Sequence, residues 1–356
     1  MATDDNGTDG ETPAEVAQRR TAATSAFRDG ASIGPSTLPH RDPVASAAFA
    51  LAEFELVSVP ALPNLSGGSV GLAQAAAGVP GVTVVDGRLS TDSGLLAGSA
   101  RLAADLDDQS YVGLRALLEL SATIGIDGAP IVWHHVGPIT LGAALHRAGL
   151  DIDIAFPLAI RVVRTQLVEI ADAIAAALPT SEQLVLLDEP RLADLMSPDF
   201  PIPPDHAIDL MSTGMAALDS RTMVGIQCDR PCDIATMLAS GPGVIAVPVD
   251  GALVEWAGYL SRFHEDGGVV AWGVVPNDGP VAFSADRYWR ELSDLWCELV
   301  RRGCDPVALR RQALVAPGGG LDHHSVSVAR RIARLTVDVS RRVKDQANAT
   351  RFALGA

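Results

Sequence analysis

Lysine is almost absent from this chain of 356 residues. Its 27 basic residues include one lysine, Lys344, and are otherwise arginine. A Walker-type phosphate loop requires a lysine, and an enzyme that forms Schiff bases requires an amine on a core element. Lys344 lies in an arginine-rich stretch near the C-terminus whose pattern is typical of a surface helix. The composition therefore argues against both of these enzyme classes.

Cysteines and long apolar runs are also scarce. The four cysteines all lie in the C-terminal half, and the acidic N-terminus lacks the apolar core of a signal peptide. Both features are typical of a cytoplasmic protein without a disulfide framework. No apolar run reaches the ~20 residues that a membrane helix needs, so we expect no membrane association.

Acidic charge outweighs basic charge, with 43 Asp and Glu residues against 27 Lys and Arg and a formal net charge of −16. The resulting field repels polyphosphate and anionic lipid. We therefore expect a small-molecule ligand and no nucleic-acid partner. Nothing in this composition requires assembly into an oligomer.

Residues 1–22 are rich in Asp, Glu, Gly, Thr and Pro and poor in large apolar side chains. Such a segment cannot offset its ordering entropy by burial, so we predict a disordered acidic tail. Residues 23–356 contain no composition shift that would mark a linker, and we expect them to form one domain.

Within this domain, short apolar runs alternate with helical patterns, which is typical of parallel strands joined by crossover helices. The eight candidate strands are SIG (32–34), VTVVD (82–86), IVWHHV (131–136), LVLLD (184–188), TMVGIQ (222–227), VIAV (244–247), GVVAWG (268–273) and QALVA (312–316). No Gly-x-Gly-x-x-Gly motif stands at a strand-to-helix turn, which argues against a dinucleotide-binding sheet. The pattern predicts an α/β fold, a single-domain (β/α)8 TIM barrel.

Chemistry in such a barrel lies at the carboxyl ends of the strands. The polar residues predicted there are His40, Asp86, His134, His135, Asp188, Glu189, Gln227, Cys228, Asp250, Asn277 and Asp278, with a glycine turn at Gly318–Gly320. Side chains alternate across a strand, so only one of His134 and His135 can face the barrel interior. At least one of the neighbouring carboxylates Asp188 and Glu189 is expected to face the barrel mouth.

Several motifs, in their order along the chain, resemble the C-terminal barrel of the cobalamin-independent methionine synthases and their relatives in the uroporphyrinogen decarboxylase superfamily. The matching stretches are IGPSTLPHRDP (33–43), VGPITL (136–141), LLDEPRLADL (186–195), VGIQCDRPCDIATMLASGPGVIAVPVD (224–250), GGVVAWGVVPNDG (267–279) and LVAPGGGLDHHSV (314–326). This resemblance implies a barrel of methionine biosynthesis in which zinc ionises the thiol of homocysteine. Zinc coordination converts a protonated thiol into a nucleophile.

The chain departs from that pattern at the metal ligands. The family's His-x-Cys pair falls on Ile226 and Cys228, so Cys228 is the only matching ligand position. The glutamate ligand falls near Val247, and the last cysteine ligand falls on Gly319. The proton-relaying histidine falls near Val275. We therefore predict that the usual zinc ligands are lost and assign no cofactor, and zinc binding would require a rebuilt site.

The resemblance also indicates roles for candidate site residues. Asp188 matches an aspartate that helps to hold the amino group of the substrate. Cys228 and Asp188 are the candidate catalytic residues, and the candidate substrate-binding residues are His40, His134, Asp188, Glu189, Gln227 and Trp272. Structural alternatives stay open: a carboxylate that caps a helix, Cys228 as a small buried apolar side chain, and Trp272 as filling of a barrel layer.

The leading hypothesis is a methionine-synthase-like barrel that transfers a methyl or other one-carbon group to a thiol or amine of an amino-acid-like substrate. As an enzyme it would be a methyltransferase resembling 5-methyltetrahydropteroyltriglutamate–homocysteine S-methyltransferase. One alternative is a non-catalytic or regulatory barrel that binds an amino acid or a folate. A second is a zinc methyltransferase with a rebuilt metal site, for example Cys228 with His323 or His324.

Deletion of residues 1–22 is expected to leave the domain folded, because this segment contributes almost no apolar burial. Thermal unfolding of the full-length and truncated proteins, followed by circular dichroism, should give the same midpoint. A large fall in the midpoint on truncation would show that the tail packs on the domain.

Overall fold

The computed structural model describes residues 26–66, 69–92, 102–219 and 221–353, and the predicted tail at 1–22 lies outside these ranges. The strands in the described part are β1 (Ala31–Ser32), β2 (Val57–Ser58), β3 (Val82–Val85), β4 (Arg88–Thr91), β5 (Ile131–Val136), β6 (Gln183–Asp188), β7 (Thr222–Gln227), β8 (Val244–Pro248), β9 (Val269–Val275) and β10 (Ala313–Pro317). All eight predicted strands agree with these bounds to within two residues at each end, and seven of them belong to the barrel.

Eight of these strands form one parallel sheet in the order β1, β10, β9, β8, β7, β6, β5, β2. A parallel bridge between Ile33 and Leu56 joins the two ends of this row. The Leu56 N–H also donates to the Ser32 carbonyl at 3.0 Å. The sheet thus curls back on itself, and the fold is the predicted α/β (β/α)8 barrel.

The eighth predicted strand, at 82–86, is wrong as a barrel strand. Its residues form β3, which pairs antiparallel with β4 in a separate hairpin. Asp86 and Gly87, with φ of 49° and 73°, make the turn of this hairpin. Asp86 therefore does not lie at the end of a barrel strand. The second barrel strand is β2, and its two residues are too few to show a period-two pattern.

The helices in the described part are α1 (Pro43–Glu53), α2 (Pro63–Ser66), α3 (Val70–Ala76), α4 (Val112–Ile124), α5 (Pro138–Arg147), α6 (Ile152–Ala177), α7 (Pro204–Met215), α8 (Ile234–Ala239), α9 (Ala257–Glu265), α10 (Asp286–Arg301), α11 (Pro306–Arg311) and α12 (Val326–Ala353). Side-chain caps begin several of them: Asp42 accepts from the Val44 N–H at the start of α1, and Asp305 accepts from the Val307 N–H at the start of α11. None of these helices has both the length and the apolar character needed to cross a membrane.

Apolar side chains pack in two layers, one inside the barrel and one between strands and helices. The interior layer consists of Phe27, Ala31, Ile33, Leu56, Val132, Leu184, Leu186, Val244, Ala246, Val269, Ala271, Leu314 and Ala316. Trp133, Trp272 and Phe156 belong to the outer layer. Because successive side chains of a strand point to opposite faces, this division also determines which polar side chains enter the barrel mouth.

Gly225→Ala is expected to lower the free energy of unfolding by about 1–3 kcal/mol, because the interior has no room for a methyl group there. A Cβ at this position would lie 2.6 Å from the Val244 carbonyl oxygen and 2.7 Å from Leu186 Cδ2. Gly258→Ala is the matched control, since a Cβ in that helix would meet nothing within 4 Å. Urea unfolding of both variants tests this, and equal stabilities would contradict the close packing of the interior.

Candidate active site at the carboxyl end of the barrel

The two histidines of β5 point to opposite faces of the sheet. Val132 belongs to the interior layer, so His134, two residues later, also faces inward. His135 is buried on the outer side, where its ring nitrogens lie 2.8 Å from the Val136 carbonyl oxygen and 3.0 Å from Gln166 Oε1. Burial lowers the pKa of His135. Of this pair, only His134 reaches the barrel mouth.

His134 is paired with Asp188, the last residue of β6. Asp188 comes two residues after Leu186 and four after Leu184, which both belong to the interior layer, so its side chain also faces inward. Its Oδ1 lies 3.0 Å from His134 Nδ1. The carboxylate is an acceptor, so Nδ1 carries the proton of this hydrogen bond. Within the described residues, His134 Nε2 is buried and has no hydrogen-bond partner. The Asp188 side chain is 28% exposed and the His134 side chain 6%, so the carboxylate is the part of the pair that solvent reaches.

Glu189 faces away from the mouth, which corrects its assignment to substrate binding. Its carboxylate accepts hydrogen bonds from the Ile139 N–H at 2.8 Å, the Thr140 N–H at 2.7 Å and the Thr140 hydroxyl at 2.6 Å. These groups belong to the first turn of α5, whose N-cap, Gly137, has no side chain of its own. Glu189 therefore caps the helix that precedes it in the chain. Burial raises the pKa of Glu189 to about 7, although the three hydrogen bonds act in the opposite direction.

Arg230 joins the loop after β7 to the loop after β6. Its guanidinium donates to the Pro190 carbonyl at 2.6 Å and to Asp194 Oδ2 at 3.3 Å. Asp194 also pairs with Arg191 at 2.9 Å, next to the loop start held by Glu189. Sequence reasoning did not select Arg230 or Thr140, although both lie within stretches that carry the family resemblance. These contacts fix the loop that begins at Asp188.

Gln227 and Cys228, at the end of β7, also point to opposite faces. Gln227 stands opposite Asp188 in the strand register, and its carbonyl accepts the Glu189 N–H at 2.8 Å. Cys228 is fully buried in the outer layer. A hydrogen bond from the Cys232 thiol lowers the pKa of the Cys228 thiol. Cys228 is therefore placed outside the barrel and not as a catalytic residue or ligand at the mouth.

The thiol-activating zinc centre implied by the family resemblance does not fit the residues present. Within the described ranges, no group of three or more His, Cys, Asp or Glu side chains is placed to hold a metal ion. Cys228 lies behind β7, whereas His323 and His324 follow β10, and β8 and β9 separate these strands in the barrel. The suggested rebuilt centre of Cys228 with either histidine is therefore not assembled.

His40 and Trp272, two further candidate substrate-binding residues, are both buried. His40 follows β1, is 5% exposed and packs its ring against Phe49 at a centroid distance of 5.0 Å. Its Nδ1 is buried and has no partner in the described part of the chain, and burial together with the charge of Arg330 lowers the pKa of His40. Trp272 lies in the outer layer, edge-on to Trp296, so it is not a wall of a mouth pocket.

A small cleft of about 20 Å³ lies between the loops after β7 and β8. Its lining includes Arg230, Cys232, Pro248, Asp250, Leu253 and Trp256. The loops after β9 and β10 meet on the other side of β8. There the glycine turn allows close packing, since a Cβ at Gly319 would lie 2.4 Å from Asn277 Nδ2.

Comparison with solved structures finds the same architecture in a methyltransferase from Methanosarcina mazei, with a TM-score of 0.54, 16% identity, and coverage of 92% of this chain and 98% of that chain. A Listeria monocytogenes protein provisionally assigned as a vitamin-B12-independent methionine synthase gives a TM-score of 0.45 and 13% identity over 73% of this chain and 76% of that chain. No protein-family model and no curated protein sequence matches the chain. The likeness to the first structure shows a shared fold.

Glu189→Gln is expected to lower the free energy of unfolding by about 1–3 kcal/mol, because an amide NH2 would face the donors of α5. Asp305→Asn is the control: it changes an exposed cap of α11 to a residue that also caps well. Urea unfolding measures both. Equal stability of Glu189→Gln and wild type would contradict the capping role.

The raised pKa of Glu189 predicts that the free energy of unfolding depends on pH. Its pKa is raised in the folded chain from an ordinary value of 4.5 to about 7, so the folded state holds this proton more tightly than the unfolded chain. The stabilisation is therefore complete below about pH 4.5 and is lost as the pH rises through about 7. Glu189→Gln should flatten the stability profile in this window, and an unchanged profile would assign the dependence to other groups.

Proposed function

We propose that the carboxyl end of the barrel binds a small molecule with an amine or thiol group, and that the Asp188–His134 pair deprotonates this group for transfer of a methyl or other one-carbon unit. The observation that carries this proposal is the inward-facing His134, which is held at Nδ1 by a carboxylate and has no partner at Nε2 among the described residues. The fold shared with a methyltransferase supports the reaction class.

The proposed chemistry follows from the different surroundings of the two ring nitrogens of His134. Asp188 holds the proton on Nδ1, so the neutral ring carries its lone pair on Nε2, where it can accept a proton. The carboxylate also stabilises the imidazolium that forms, as in other carboxylate–histidine pairs. The second oxygen of Asp188 has no partner among the described side chains and can accept a hydrogen bond from a substrate ammonium group.

In the proposed transfer, the nitrogen or sulfur lone pair of the substrate forms a bond to the one-carbon unit of an activated donor. The bond from that carbon to the donor breaks, and the donor atom keeps the electron pair. Nε2 of His134 takes the proton that the substrate group releases. Arg230, Arg191 and Asp194 position the loop that begins at Asp188 and take no part in bond making.

A binding or regulatory role without catalysis is the second candidate. The burial of His134 Nε2 favours it, because a base must reach the proton that it removes. Turnover separates the two candidates. A catalytic His134 predicts that His134→Gln retains ligand affinity and loses product formation, whereas a binding protein forms no product with either chain.

Asp188→Asn is expected to leave folding nearly intact, because the amide oxygen still accepts from His134 Nδ1. Affinity for aminated ligands found by thermal-shift screening should fall at least tenfold, since the ion pair with the ammonium group is lost. Asp205→Asn, on the exposed start of α7, is the control. Calorimetric titration measures the affinities. Destabilisation by several kcal/mol with unchanged affinity would make Asp188 structural, as expected for a broken ionic network.

A further inference from the structure

Three arginines from separate elements approach one another beside the barrel mouth. Arg88 begins β4, Arg147 ends α5, and Arg191 lies in the 3-10 turn Pro190–Asp194 that follows β6. Burial lowers the pKa of the Arg147 guanidinium, and the charges of Arg191 and Arg88 lower it further. A like charge has this effect only at short range. Positive charge is thus concentrated here, in a chain whose formal net charge is −16.

Contacts with α5 hold the elements that carry these arginines together. In the first turn of α5, the Thr140 hydroxyl accepts the Arg191 N–H at 3.4 Å. Directly after its last residue, the Ala148 carbonyl accepts the hydroxyl of Thr91, which belongs to β4, at 3.1 Å. The 3-10 turn after β6 and the hairpin strand β4 therefore both pack on the same helix, and the arginine cluster is part of the folded structure.

The cluster has few acceptors for its charge. Arg191 Nη1 lies 2.9 Å from Asp194 Oδ2, but the same oxygen also pairs with Arg230 at 3.3 Å. The charge of Asp194 is also the one that raises the pKa of Arg147. One carboxylate thus faces Arg147, Arg191 and Arg230 together. Within the described residues, Arg191 Nε is buried and has no hydrogen-bond partner.

The remaining donors of the cluster are open to a ligand. Arg88 and Arg147 are exposed. Arg147 Nε donates to the Ala143 carbonyl at 3.2 Å, which leaves the two terminal nitrogens of its guanidinium for a ligand. The planar guanidinium matches the oxygens of a phosphate or carboxylate group. We propose that Arg88, Arg147 and Arg191 form a binding site for a doubly charged oxyanion, which is a phosphate group or a pair of carboxylates on a small molecule.

This binding site does not depend on the proposed one-carbon transfer, because oxyanion binding can be measured without a one-carbon donor. Arg191 follows Asp188 by three residues, so the bound oxyanion would lie at the rim of the same mouth. An empty cluster of like charges repels itself, and a bound oxyanion relieves this repulsion. Binding should therefore also stabilise the folded chain.

The test is calorimetric titration of the full-length protein at low ionic strength with inorganic phosphate, with malonate as a dicarboxylate, and with acetate as a singly charged comparison. The informative variants are Arg88→Gln and Arg147→Gln, singly and together, because both side chains are exposed and their loss should leave the fold intact. Arg302→Gln is the matched control, since it removes an exposed arginine at the end of α10.

We expect one phosphate or malonate to bind per chain, acetate not to bind, and the affinity to fall as NaCl is added. The dianion that binds more tightly identifies the source of the charge. Each single variant should lose about fivefold in affinity and the double variant all saturable binding, whereas Arg302→Gln should bind as the wild type does. Without ligand, no variant should melt below the wild type.

Two results would overturn the proposal. One is the absence of saturable binding of both dianions to the wild type. The other is an equal loss of affinity in Arg302→Gln and Arg147→Gln, which would assign the binding to the overall charge of the chain and not to the cluster.

Discussion

The buried carboxylate of Glu189 is the contact on which the geometry of the mouth depends. It is fully buried, and its two oxygens accept three hydrogen bonds from the start of α5. Gly137 makes this approach feasible, because a Cβ there would lie 2.2 Å from Glu189 Oε1. The contact ties the end of β6 to the helix that follows β5. Since Asp188 directly precedes Glu189, the same contact fixes the direction in which Asp188 enters the mouth.

Because successive side chains of a strand point to opposite faces, the two residues of each adjacent pair at a strand end have different surroundings. His134 and Asp188 face the interior, and their neighbours His135 and Glu189 bind helices outside the barrel. Gln227 stands opposite Asp188 in the same register, and Cys228 takes the outer face. The inner face of these strand ends thus presents polar side chains to the mouth, and the outer face packs against the surrounding structure.

The sequence allowed the barrel and most of its strands to be predicted, because long apolar runs such as β6 and β9 carry a strong signal. It failed at β2, where two residues cannot display alternation, and the hairpin of β3 and β4 took its place in the prediction. The site was predictable only in part. The motifs identified the strand ends, but which side chain faces the barrel interior depends on the alternation along the strand. A strand bound that is wrong by one residue would place Cys228 inside in place of Gln227. Thr140 and Arg230 act through contacts distant in sequence, which no local pattern reveals.

Side-chain packing also bears on positions 319 and 247, where the resemblance places metal ligands of the family. The resemblance places a cysteine ligand at position 319, where this chain has a glycine. A Cβ atom added there would lie 2.4 Å from Asn277 Nδ2 in the side-chain amide. A cysteine there would require the Asn277 side chain to move away. Position 247, near the glutamate ligand, holds a buried valine of the outer layer. The loops after β9 and β10 therefore pack closely around Asn277, with no side chain at position 319 between them.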